Sequence, residues 1–334
     1  MEPLLPVVWF AIIAFGVFMY VLLDGFVLGI GILALFAEDS HQVDHMMNTA
    51  APIWDGNETW LVLGGAGLLA AFPAAYAIML SGLYLPVLLM LVALILRGVS
   101  FEFRFKATTS KKLWGVCFTV GSIAAAFAQG LMLGAIVAGL PLQDGKYLGG
   151  PFAWFGPFPI LTGVALVFGY ALLGSTWLIM KTDGALQNVA FMLTRPLVLV
   201  TVAFMGLVSA WLPFLSGHIM ARWFESGNFI WLSPVPLLAV ANAVMLWRAV
   251  THRANYLPFI LALSFFALGF IGLVIGVWPN IVPPDLSIWD AAAPPSTQRF
   301  VLVGTLIILP AVLGYTWWSY SVFRGKVAAD SGYH

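Results

Sequence analysis

Apolar runs of about twenty residues recur along this chain, and that recurrence limits what it can fold into. A helix needs roughly 20 residues, at about 1.5 Å each, to cross about 30 Å of hydrocarbon. Such runs fall at approximately 7–36, 60–80, 82–103, 113–139, 157–181, 193–216, 231–250, 256–278 and 300–323. Of the 334 residues, 62% are hydrophobic and 8% charged, against about 25% charged in soluble domains. No soluble protein of this size can hide so much apolar surface, so the chain reads as all-α and polytopic, with about nine transmembrane helices. The expected organisation is a first four-helix bundle over 1–139 and a second over 140–278. An outward Pro-rich loop, a ninth helix and a cytoplasmic tail then occupy 279–334. Only Ser81-Gly82 separates the second run from the third, and Pro234 and Pro236 interrupt the seventh. The first run is too long for a signal-sequence core and has no basic leader before it.

The basic residues orient this topology. With nine spans, one side receives Arg97, Arg104, Lys106, Lys111, Lys112, Lys181, Arg195, Arg248, Arg253, Arg324 and Lys326, and the other only Lys146, Arg222 and Arg299. Positively charged loops stay in the cytoplasm, so the N-terminus should face outward and the C-terminus inward. The formal net charge is zero, which implies no nucleic acid or other polyanionic partner.

Charges inside the spans are few, and each is costly. Asp24 lies fourteen residues before Glu38 in the first run, about 20 Å deep at helical rise. An acid there should face protein or water, where such groups mark proton or ion routes or hold helices together. The second cluster is Trp54-Asp55-Gly56-Asn57-Glu58-Thr59-Trp60. With Pro52 in a first helical turn, Asp55, Glu58, Thr59 and Val62 share one face, at the cytoplasmic mouth of the second helix. The bland reading is a polar helix start whose acids suit the helix dipole, flanked by interfacial tryptophans. The third cluster, Arg97 to Lys106, reads either as an interfacial stop or as a source of partners. Arg97 can hold an acid of the second helix, and Glu102 and Lys106 form an i,i+4 pair.

Other chemistries find no support. The histidines are His41, His45, His218, His252 and His334, all in loops or at the tail, whereas a transmembrane haem draws axial ligands from helix interiors. His41 and His45 have i,i+4 spacing beside Glu38, Asp39 and Asp44, a weak metal pattern. Cys117 is the single cysteine, which excludes a disulfide framework. Nucleotide-binding and nucleophile-elbow motifs are absent.

Taken together, Trp54 to Leu61 with Phe72-Pro73, Asp24-Gly-Phe, Leu96-Arg-Gly-Val-Ser-Phe-Glu-Phe-Arg104 and Ser287-Ile-Trp-Asp-Ala291 resemble the landmarks of subunit II of cytochrome bd-type quinol oxidases. The resemblance implies a chain without cofactors of its own, paired with a subunit I that carries haems b558, b595 and d. It implies quinol oxidation and reduction of oxygen to water in the bacterial inner membrane, with protons drawn from the cytoplasm. It also leaves room for a small single-helix accessory subunit, and for contacts with quinone and lipid. Asp24, Asp55 and Glu58 become proton-path candidates, with Asn57, Thr59, Arg97 and Glu102 as supporting partners. One departure stands out: many members carry a second acid three residues after the first-helix Asp, and here that residue is Val27. The rival readings are a proton-coupled secondary transporter centred on Asp24 and a purely structural membrane subunit.

Overall fold

The computed structural model describes residues 4–143, 145–215 and 217–328, so His334 lies outside the described residues. Twelve α-helices account for most of them. They are α1 (Leu4–Leu33), α2 (Ser40–Asn48), α3 (Trp54–Ala71), α4 (Pro73–Lys106), α5 (Lys111–Ala138), α6 (Pro157–Lys181), α7 (Gly184–Leu215), α8 (Gly217–Phe224), α9 (Asn228–Leu232), α10 (Pro234–Thr251), α11 (Leu257–Val277) and α12 (Pro295–Val322). Two small antiparallel hairpins, β1 (Leu142–Gln143) with β2 (Lys146–Tyr147) and β3 (Asn280–Val282) with β4 (Leu286–Ser287), lie in the loops. Among the described residues, eight helices are long and apolar enough to cross a membrane, with α9 and α10 counted as one. The ninth expected run is α3, whose 18 residues reach about 27 Å. It falls short in composition because the polar heptapeptide fills its first two turns.

The second and third runs part in a different place from the one expected. Helix α4 runs unbroken through Ser81-Gly82, and the break comes at Phe72, with φ −135° and ψ 63°, just before Pro73. Proline excludes the preceding residue from helical geometry and suits the first helical position. Gly82 instead permits close packing, since a Cβ there would meet Tyr147 at 3.0 Å. Pro52 likewise lies before its helix, in the turn ahead of Trp54. In the seventh run the chain breaks at Ser233, and Pro234 opens α10.

Helix α1 is the central post. Every residue from Asp24 to Leu33 is buried, and it packs against α3, α5, α6, α11 and α12. Glycine makes the closest crossing. A Cβ on Gly29 would fall 1.8 Å from the Tyr170 carbonyl oxygen of α6, and one on Gly174 2.4 Å from the Gly29 carbonyl carbon. Small residues of this kind let membrane helices approach backbone to backbone. The main core joins Phe26, Leu28 and Ile30 of α1 to Phe101, Phe118, Trp177, Phe191 and Phe259. A second core lies at the opposite end, where Trp9, Phe72, Ile281, Val282 and Ile288 meet. There the Pro-rich loop seats on the α3–α4 turn, with Ala293 N donating to Ala71 O at 2.8 Å.

The other end is tied by charge. Arg104 is 1% exposed. It donates to Asp44 Oδ1 at 2.8 Å, Lys111 O at 2.6 Å and Ser40 O at 2.8 Å, and so clamps α2 to α4 and α5. Lys181 Nζ donates to Phe323 O at 2.6 Å and Gly325 O at 2.8 Å, and Val327 N donates to Lys181 O at 2.8 Å. His45 Nε2 meets Val327 O at 2.9 Å. Residues from the loops after the first, third and fifth spans and from the tail thus meet at one end.

Candidate functional site at a shared arginine

The site begins with Asp24, whose side chain is wholly buried. Hydropathy cannot account for a carboxylate there, and its partner is Arg97 of α4, also wholly buried. One nitrogen, Arg97 Nη2, lies 2.6 Å from both Oδ1 and Oδ2 of Asp24. The same nitrogen lies 3.3 Å from Oε1 of Glu58 on α3, as an ion pair without hydrogen-bond geometry. One cation therefore bridges two carboxylates from two other helices. A buried charge is tolerated when paired in this way, and the pairing pins α1, α3 and α4 together. With both acids ionised the trio carries a net charge of minus one; with one added proton it is neutral. Arg97 Nε and Nη1 are buried without hydrogen-bond partners.

The heptapeptide divides by helical phase. Asn57 and Trp60 are buried, while Asp55 and Thr59 are exposed and Glu58 keeps 31% side-chain exposure. Asp55, Glu58, Thr59 and Val62 thus share the outward-turned face that their spacing predicts. Asn57 turns inward: its Nδ2 donates to Leu23 O at 2.8 Å, and it accepts from Tyr320 Oη of α12 at 3.0 Å. Trp54 stacks on Phe101, with ring centroids 5.2 Å apart, and lies under the Arg97 guanidinium at 5.5 Å.

Glu102 does not join this group. It is exposed and pairs with Lys106 at 3.3 Å. Five residues after Arg97 on a helix, it points well away from the buried face that carries Arg97, Gly98, Phe101 and Arg104. Val27 is buried in the core, so the place of the second acid holds an apolar contact. His41 and His45 assemble no metal site: among the described residues no group of three or more His, Cys, Asp or Glu side chains is placed to hold an ion.

This geometry sits on a chain whose residues 5–323 match the family profile described as cytochrome bd terminal oxidase subunit II. The chain belongs to that family. The subunit is 28% identical to the probable cytochrome oxidase subunit 2 of Haemophilus influenzae, over 97% of this chain and 95% of the relative. It is 26% identical to cytochrome bd-I ubiquinol oxidase subunit 2 of Escherichia coli K12, with the same coverage. It is 28% identical to cytochrome bd ubiquinol oxidase subunit 2 of Bacillus subtilis, over 96% of each. Its fold superposes on a chain of the bd oxidase from Geobacillus thermodenitrificans with a TM-score of 0.78, covering 96% of this chain and 98% of that one at 17% identity.

Sequence reasoning missed the polar groups that extend the site. Tyr20, one turn before Asp24 on the same face of α1, is buried with it. Gln129 of α5 donates to Tyr20 Oη at 2.8 Å, and Tyr170 of α6 donates to Gln129 Oε1 at 2.8 Å. Hydrogen bonds thus join α1, α5 and α6 through Tyr20, Gln129 and Tyr170, one turn of α1 from the Asp24–Arg97–Glu58 trio. The run ends inside the subunit, at a wholly buried Tyr170 stacked near Phe266. The Glu58 end reaches the surface, and Gln129 is itself partly exposed. The one signal in the sequence was spacing: Tyr20 and Asp24 are four apart on α1 and so share a face.

Proposed function

We propose that this subunit supplies a carboxylate route for protons within a cytochrome bd-type oxidase and braces the haem-bearing subunit I. As a family member it is a multi-pass membrane subunit of a bd-type quinol oxidase, an oxidoreductase that works as a complex. In this reading haems b558, b595 and d belong to subunit I, and this chain holds none. Its own donors support that, because His41, His45, His218 and His252 all lie outside the long apolar helices. The bias of eleven basic residues against three supports a periplasmic N-terminus and a cytoplasmic C-terminus. Residues 1–139 and 140–278 are read as two four-helix bundles joined through α1, α5 and α6. Quinone, lipid and a small single-helix subunit are further expected neighbours.

The observation that carries the proton reading is the single Arg97 nitrogen shared by Asp24 and Glu58. It links a wholly buried acid to one that reaches the surface beside Asp55 and Thr59. Oxygen reduction consumes protons at a buried centre, and carboxyl groups that bind and release them are the natural carriers through low dielectric. A proton bound at Asp55 or Glu58 would change the charge facing Arg97, and so the hold of Arg97 on Asp24.

The test uses the assembled complex, with oxygen consumption normalised to haem d. Asp55→Asn and Glu58→Gln should depress turnover several-fold while assembly persists, and Asp24→Glu should outperform Asp24→Asn. Full turnover in both Asp55→Asn and Glu58→Gln at neutral and alkaline pH would remove the route. The close contact of both Asp24 oxygens with one Arg97 nitrogen also supports a second reading, in which Asp24 is only a structural counter-ion. Asp24→Asn would then be mild, and Asp24→Glu harmful through overpacking beside Gly25 and Gly29.

A further inference from the structure

A cleft far from the carboxylates has the chemistry of a phospholipid site. It opens at the end of the molecule that carries the Pro-rich loop, between α8, α9 and α11. Its volume is about 320 Å³, and Arg222, Asn228, Trp231, Leu232, Val274, Ile275 and Trp278 line it. The walls are built, not incidental. Helix α8 is anchored by Ile219, which packs with Val137, Phe158 and Val277. Trp278 is held edge-on between Phe10 at 5.4 Å and Trp289 at 6.1 Å. Asn228 Nδ2 donates to Arg222 O at 3.1 Å, which fixes the amide beside the arginine.

Three features select the occupant. Arg222 is half-buried and has no ion-pair partner among the described residues; Glu225, one turn on, is exposed and makes no bridge to it. An arginine fork matches the geometry of a phosphate. Trp231 and Trp278 stand close to the ends of membrane-spanning helices, the level where tryptophan meets headgroups. Below the arginine the lining turns apolar at Val274 and Ile275, and Ile271, one turn along α11, is 46% exposed. Cation, aromatic belt and apolar track therefore stack in the order of a lipid's phosphate, glycerol and acyl chain.

We infer that the cleft between α8, α9 and α11 binds one glycerophospholipid, its phosphate on Arg222 and Asn228 and an acyl chain along Val274, Ile275 and Ile271. The inference rests on the membrane fold and not on the proton reading. It is tested on the complete oxidase complex, purified and delipidated in detergent, by counting retained phospholipid with native mass spectrometry and phosphorus analysis. The wild type and Arg222→Lys should keep one phospholipid more than Arg222→Gln. Added phosphatidylglycerol should raise the thermal midpoint of the wild type by several degrees and that of Arg222→Gln by much less, while diacylglycerol of the same chains should do little for either. Equal phospholipid counts in wild type and Arg222→Gln would overturn the inference. So would equal stabilisation by diacylglycerol, equal loss from Arg222→Lys and Arg222→Gln, or recovery of a quinone in place of the phospholipid.

Discussion

Replacing Arg97 by Met isolates what the shared cation does. Met keeps much of the length and the apolar stem but cannot donate. Asp24 would then be wholly buried with its strongest partner gone, and Glu58 would lose its counter-ion. At an effective dielectric of about 20, a charge pair 2.6 Å apart attracts by about 6 kcal/mol. Desolvation offsets much of that, and stranding one member of a buried pair typically costs about 3–5 kcal/mol. Arg97→Met should therefore reduce the yield of assembled complex severely. Asp24→Asn should be milder, because Arg97 keeps Glu58. The double variant, Asp24→Asn with Arg97→Met, should recover at least about 2 kcal/mol relative to the sum of the singles, since no full charge remains at the Asp24 position. The assay is thermal unfolding of the purified complex, with haem d per protein as the measure of assembly. Additive losses in the double variant would refute the reasoning, because they would mean that the two groups do not sense each other.

Four further perturbations follow. Gly29→Ala should separate α1 from α6 and lower complex yield more than Gly65→Ala, whose added methyl meets nothing within 4 Å; quantitative membrane blots compare them. Tyr320→Phe removes one hydrogen bond to Asn57 and should cost about 1 kcal/mol, read as a small drop in thermal midpoint without loss of haem d. Gln129→Leu cuts the link between Tyr20 and Tyr170, and because that branch ends inside the subunit it should destabilise without slowing turnover per haem d. Lys181→Met removes the donor to Phe323 and Gly325, so limited proteolysis should cleave the C-terminal tail faster than in the wild type.

Much of the architecture was legible because hydrocarbon thickness dictates helix length. The run 157–181 coincides with α6, and 113–139 lies within a residue or two of α5. The break between the second and third runs was misplaced because Ser81-Gly82 looks like a turn in composition. Pro73 acts on backbone geometry, and hydropathy does not register it. The acids were legible because charge in an apolar run needs a reason, and the possible link from Arg97 to the second helix was written in its position. That Arg97 also takes Asp24 depends on where the bundle places α1 relative to α4, which no local pattern encodes. Tyr20, Gln129 and Tyr170 passed unnoticed because tyrosine suits lipid-like runs and one glutamine scarcely alters them. Glu102 drew attention for its charge alone, and helical phase puts it on the outside.

The tail contacts at Lys181 bear on the order in which the chain is made. The groups that accept from Lys181 Nζ belong to residues 323 and 325, and the carbonyl that meets His45 belongs to Val327. The polypeptide emerges N-terminus first, so α1 to α11 are inserted before any of those acceptors exists. Throughout that interval the ammonium at the end of α6, which the finished fold buries, must rely on water or lipid phosphate. Residues 323–327 close that gap once they have emerged, so a chain terminated before them would keep it open. Membrane proteases could then distinguish unfinished subunits from finished ones at that spot, before subunit I is committed to either.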